Sequence, residues 1–147
     1  MSSTTTSTSH LTVDQVMRPP VTTVERSAHV AAVTYLMKKS HDNAIVVISD
    51  GATATPVTLI CDSDVAQAVA DGRDLEQARI SDLPLPDMVA LAPDTPVPQA
   101  AERMLAAGVV FAPVVADGRL VGLVDMSGVC RALLTERGAP LRGEPRP

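Results

Sequence analysis

Two acidic corners are the places where this sequence can do chemistry. In VTLICDSDVAQAV, residues 57–69, a short apolar run breaks at Cys61-Asp62-Ser63-Asp64 and restarts with helical spacing. In VGLVDMSGVCRAL, residues 121–133, the same apolar frame breaks at Asp125-Met126-Ser127-Gly128. Asp64 is matched by Gly128 and Cys61 by Asp125, so the carboxylate has moved along the corner. A carboxylate at a helix start is stabilised by the macrodipole and by unpaired backbone amides, whatever else it does. For Asp125 and Ser127 this capping is the favoured reading, while for Asp64 it stands level with a role in holding a ligand. Cys61 and Cys130 read as small buried apolar residues, with a redox pair as the alternative. His10, His29 and His41 have no ligand spacing with each other or with a cysteine, and no nucleophile–base arrangement is visible. The expectation is therefore a protein with no metal and no catalysis.

The elements that carry these corners occur twice. Shifting the chain by 67 residues pairs Val30 with Val97, Met37 with Met104, Val47 with Val114 and Asp50-Gly51 with Asp117-Gly118. Past that turn the shift becomes 64, because the first copy holds extra residues around ATAT, and Val57, Leu59, Val65 and Ala68 meet Val121, Leu123, Val129 and Ala132. Each copy predicts an extended lead-in (PPVTTVE, PDMVALAP), an amphipathic helix, an apolar strand (AIVVIS, APVVA), a turn, a second strand and a second helix. In the first helices Ser27 and Thr95 are candidate caps, and Pro96 is the candidate first helical residue. Asp-Gly inside VVADGRLVGLV predicts a tight hairpin, and Gly72 and Gly138 are placed to end the second helices. The predicted segments are a disordered Ser/Thr-rich tail at 1–12, repeats at 13–72 and 80–138, a polar linker at 73–79 and a disordered Pro/Gly/Arg-rich tail at 139–147. Neither repeat can bury both helices and a sheet alone. The fold class is α+β: two β-α-β-β-α units packed sheet to sheet about a pseudo-twofold axis, with clefts between them suited to a ligand.

Composition narrows the partners. Of 147 residues, 46% are hydrophobic and 20% charged, enough for a packed core. Only Tyr35 and Phe111 are aromatic, so base stacking on aromatic platforms has little support. The net charge of −5, with no basic run, disfavours nucleic acid. No apolar run reaches membrane-spanning length, and MSSTTTSTSH has neither the basic nor the apolar region of an export signal. The cytoplasm, with both thiols reduced, is the expected location.

The stretch FAPVVADGRLVGLVDMSGVCRAL resembles the pattern of CBS domains: a Pro-Val-Val strand, an Asp-Gly turn, then Gly-aliphatic-aliphatic-Thr/Ser-x-x-Asp-aliphatic. VMRPPVTTV, with Met17, is similar to the family's lead-in segment. Occurring twice, the pattern resembles a stand-alone CBS pair, or Bateman module, over residues 13–134. The resemblance implies clefts for adenosine compounds (AMP, ADP, ATP or S-adenosylmethionine), with a corner carboxylate on the ribose and aliphatic side chains on the base. Carried over, one site would use Asp64 for the ribose, Cys61 at the Thr/Ser position, Met88 and Val89 of the lead-in, and the loop Val109, Val110, Phe111 and Ala112. A second, vestigial site would use Thr22, Thr23, Asn43, Ala44, Ile45, Asp125, Ser127 and Gly128. Cys61 departs from the pattern, a thiol being a poor hydrogen-bond partner, and Gly128 removes the second ribose carboxylate. Arg131 is the basic residue nearest to either corner, which weakens the expectation of a phosphate.

Two functions follow. In one, the pair senses an adenosine compound in a single degenerate cleft and modulates a partner protein. In the other it is a ligand-free interaction module acting through a homodimer surface, for which Leu36 and Leu133-Leu134 are the spare apolar residues. Phe111 serves either as an adenine clamp or as an interface residue.

Overall fold

A computed structural model describes residues 10–18, 22–50 and 55–136. The Ser/Thr-rich stretch before His10, residues 51–54 of the loop around ATAT, Gly138 and the C-terminal tail lie outside the described residues. In chain order the elements are β1 (Thr23–Glu25), α1 (Val30–Ser40), β2 (Ala44–Ile48), β3 (Pro56–Cys61), α2 (Asp62–Ala70), α3 (Val97–Ala107), β4 (Phe111–Ala116), β5 (Arg119–Asp125) and α4 (Met126–Glu136).

In the first repeat β2 is the central strand, parallel to β1 and antiparallel to β3. Its run AIVVI does not alternate, because both faces are covered: Ile45, Val46 and Val47 are 0% exposed. In the second repeat β4 and β5 form the expected hairpin, closed by Asp117 (φ 52°) and Gly118 (φ 76°). Positive φ at both central residues is the turn that matches the twist of two antiparallel strands. The register slips at Val47/Ile48 in one sheet and at Val114/Val115 in the other, the same place under the 67-residue shift.

The expected first strand of the second repeat is absent among the described residues. Only Leu91 pairs there, donating its N–H to the Pro113 carbonyl (3.0 Å) and accepting from Val115 N–H (2.9 Å). Pro113 has no N–H to extend this ladder, and Pro86 and Pro93 bracket the segment.

The first helices also start differently from the expectation. His29 and Pro96 occupy the cap positions without a side-chain cap, and Val97, not Pro96, is the first helical residue. Ser27 instead donates its hydroxyl to Asp50 (3.1 Å), and Thr95 donates its N–H to the Ala92 carbonyl. The first amide of each helix is met from just before the other repeat: Val30 N–H donates to the Ala78 carbonyl and Val97 N–H to the Leu11 carbonyl, both at 2.9 Å.

Those bonds belong to an exchange of lead-in segments. Short 3-10 turns at Val13–Gln15 and Ile80–Asp82 open the two repeats. Val13 N–H donates to Thr95 and Ile80 N–H to Ala28, each at 2.9 Å. Val13 is buried in the second repeat's core with Leu91, Val97 and Met104, while Ile80 is buried in the first repeat's core with Val33, Ile45 and Ile60. Each core is thus completed by the segment that leads into the other repeat, and β3 lies against β4 where the sheets meet. Gly122 of β5 leaves room for this exchange, since a Cβ there would sit 2.4 Å from the Met17 sulfur.

The helix ends carry a testable asymmetry. α3 ends on Gly108 (φ 70°), whereas His41 holds the equivalent left-handed position after α1 (φ 60°). A Cβ is strained in that conformation. We expect His41→Gly to raise stability by about 0.5–1 kcal/mol, a gain of about 1–4 °C in thermal melting, and Gly108→Ala to lower it similarly.

Candidate functional site

Two open clefts lie between the repeats. The first, of about 650 Å³, is lined by Thr58, Leu59, Cys61, Ser63 and Asp64 of the first repeat. Across from them stand Pro86, Asp87, Met88 and Val89 of the second lead-in and Gly108, Val109, Val110 and Phe111 of the turn after α3. Of the eight residues assigned to a first site from the sequence, seven meet here. Ala112 does not: it begins the inward-facing part of β4 and is fully buried in the second core.

The second cleft, of about 700 Å³, is lined by Arg18, His41, Asp42, Asn43, Val110, Phe111, Asp125, Met126 and Ser127. Asn43, Asp125 and Ser127 were expected there. Thr22, Ala44, Ile45 and Gly128 are not in its lining. Ala44 and Ile45 are core residues of β2, and Thr23 lines a separate groove beside β1 with Glu25 and Ser27. The sequence reading also missed Arg18. Its guanidinium stands 3.1 Å from the Asp42 carboxylate in this cleft, whereas Arg131 lines neither cleft. Under the 67-residue shift, Asp42 and Asn43 replace Val109 and Val110, so the second cleft is polar where the first is apolar. Val110 and Phe111 face both clefts and form the wall between them.

The carboxylates at the two corners do the same local work from opposite ends. Cys61 N–H donates to Asp64 Oδ2 at 2.7 Å, the third residue of α2 reaching back to the residue before the helix. Gly128 N–H donates to Asp125 Oδ1, also at 2.7 Å, the residue before α4 reaching forward. Each satisfies one amide that the helix start leaves without a partner. The carboxylate can therefore sit at either position without loss of the corner. A side chain at Gly128 would crowd Asp125, whose Oδ1 lies 3.2 Å from the place of a Cβ. Asp64 Oδ1 makes no hydrogen bond among the described residues.

Burial, followed by the charges of Asp64 and Asp62, pushes the Cys61 thiol up to about 11. It stays protonated at neutral pH and is a poor nucleophile. Among the described residues no group of three or more His, Cys, Asp or Glu side chains has a metal-binding arrangement, and no helix is long and apolar enough to cross a membrane.

The architecture is shared with solved proteins. A CBS domain protein from Pyrobaculum aerophilum complexed with AMP superposes with a TM-score of 0.78 at 22% identity, covering 88% of this chain and all of that one. A CBS domain pair in complex with 5′-methylthioadenosine and S-adenosyl-L-methionine gives 0.76 at 20% identity, covering 87% of this chain and 99% of that one. The hexameric CBS-CP12 protein from bloom-forming cyanobacteria gives 0.79 at 21% identity, covering 91% and 79%. Among the curated proteins none matches the sequence significantly. The CBS domain family matches residues 13–71 and again 80–135, the two repeats whose lead-in segments are exchanged in the fold, and the chain belongs to that family as a CBS-domain pair.

Proposed function

We propose that this CBS pair is a regulatory module that senses an adenosine compound in the first cleft and passes its occupancy to a protein partner in the cytoplasm. The observation that carries this reading is the meeting of Asp64, with one oxygen free, and an aliphatic wall from the opposite repeat in one open cleft. Such a cleft offers a charged acceptor for ribose hydroxyls and apolar surfaces for the faces of a base. AMP, S-adenosylmethionine and methylthioadenosine in the neighbours named above give the ligand class its support. No bond is made or broken in this reading.

Thermal melting with adenosine, AMP, ADP, ATP and S-adenosylmethionine tests it. Ligand at a hundredfold its Kd adds about 2.7 kcal/mol, or about 5–10 °C for a chain of this size. If none of the five shifts the transition at millimolar concentration, the second reading takes over: a ligand-free interaction module. That reading has its own observation, since the Cys61 amide alone accounts for a carboxylate at Asp64.

We also propose that the chain is a homodimer. Leu36 and Leu133, the spare residues expected from the sequence, pack into the two cores. Leu134, also expected, stays exposed, and one residue from each of the other helices joins it on the surface: Tyr35, Val69 and Leu105, with Leu105 69% exposed. Light scattering at micromolar concentration is expected to give twice the 15.3 kDa chain mass, and the mass of a single chain overturns the dimer.

A further inference from the structure

We propose that the first cleft selects a cationic, unphosphorylated nucleoside-type ligand over a nucleotide, and that Asp87 is the residue that sets this preference. This rests on the reading of the cleft as an adenosine site. The charged side chains of its lining are two carboxylates, Asp64 and Asp87, and no Lys, Arg or His stands among the lining residues. The backbone adds to the same sign. Gly108 and Val109 place the C-terminal end of α3, the negative end of its dipole, at the cleft wall. At that helix end the amides are already engaged, Gly108 N–H on the Leu105 carbonyl and Val109 N–H on the Met104 carbonyl. The start of α2, the other natural place for a phosphate, holds Asp62 and Asp64 in its first turn and has the Cys61 amide taken by Asp64. By contrast, the second cleft contains Arg18 and His41.

A phosphate in the first cleft would face two carboxylates and a helix C-terminus without a counter-charge. A sulfonium or ammonium group on the same nucleoside would be attracted by all three. Asp64 is half-buried and already bonded to the backbone, so it belongs to the nucleoside part of the site. Asp87 is exposed at the rim, free to meet the substituent at the far end of the ribose, and its attraction is screened by salt.

Calorimetric titration of the full chain separates charge from shape when S-adenosylmethionine is compared with S-adenosylhomocysteine, the neutral thioether that lacks only the sulfonium methyl. At low salt we expect the sulfonium to bind about tenfold more tightly than the thioether, with AMP weaker than adenosine and ATP weaker still. At about 500 mM salt the sulfonium preference is expected to fall to about threefold. Asp87→Asn is expected to halve the low-salt preference at least, with adenosine affinity held within about twofold, since it alters charge and not the base or ribose contacts. AMP or ATP binding as tightly as adenosine overturns the charge preference and leaves the adenosine site standing. A preference unchanged in Asp87→Asn removes Asp87 from the role. If none of the five compounds binds, the adenosine site itself is wrong and the charge preference falls with it.

Discussion

Ile80→Ala is expected to cost about 2–4 kcal/mol and to lower the melting temperature by about 5–15 °C, with the damage appearing in the repeat to which Ile80 does not belong in sequence. Ile80 is 1% exposed and packs among Val24, Val33, Ile45, Val47 and Ile60, all of the first repeat. Truncation removes three carbon atoms from that cluster and leaves a cavity the rigid central strand β2 cannot close. The backbone around it is tied in as well, through Ile80 N–H to Ala28 and Ser81 N–H to Arg26. Hydrogen exchange well below the melting point is therefore expected to show lost protection at Ile45–Val47 before Ala112–Val114. Val13→Ala is the mirror experiment: a smaller loss, since two carbon atoms are removed and not three, read in β4 and β5. Loss of protection in β4 and β5 from Ile80→Ala, or no change in melting, contradicts the exchange of lead-in segments.

Asp64→Asn is expected to separate the two duties of the first corner. The amide oxygen of Asn can still accept the Cys61 N–H that Asp64 Oδ2 takes at 2.7 Å, so only the charge near the helix start is lost. That charge contributes about 0.3–1 kcal/mol, and stability is expected to fall by no more than this. Ligand binding is expected to fall about tenfold or more, because each hydrogen bond to an ionised acceptor contributes about 1.5–3 kcal/mol and one of the two oxygens becomes a donor. Adenosine titration measures the second effect and thermal melting the first. The Cys61 thiol supplies an internal check. Asp64 is the second cause, after burial, of its rise to about 11, so the substitution is expected to bring it down and to speed its alkylation near pH 10. Asp125→Asn, which keeps the matching cap on Gly128 N–H, is expected to leave adenosine affinity in the first cleft unchanged. Equal adenosine affinity in wild type and Asp64→Asn makes Asp64 a helix-start residue and nothing more.

The sequence alone determined what is written in short range or by repetition. The 67-residue shift is repeated in the paired bonds of Val30 and Val97 and in the matching bulges at Val47 and Val114. Asp117-Gly118 dictated the hairpin, because few dipeptides take positive φ twice in succession. The corner CDSD marked the start of α2, because an acidic side chain satisfies the amides that any helix start exposes. Most of the first cleft was legible for the same reason, its residues lying on contiguous loops whose positions the repeat copies from one half to the other.

Tertiary structure decided the rest. Ser27 and Thr95 looked like caps, yet α1 and α3 take their missing acceptors from Ala78 and Leu11, a whole repeat away in sequence. The second cleft was misread at Thr23, Ala44 and Ile45, whose apolar or short side chains serve the sheet, and at Arg18 and Asp42, which meet only once the first lead-in is docked on β5. Asp87 lies in a segment with no regular pattern and reaches the first cleft only because that segment runs past the corner of the other repeat. A periodic pattern records which side of an element is buried; it carries no record of which distant segment buries it. That choice is made by packing, where two equivalent lead-ins compete for two equivalent cores, and the exchanged arrangement satisfies the free amides of both helix starts at once.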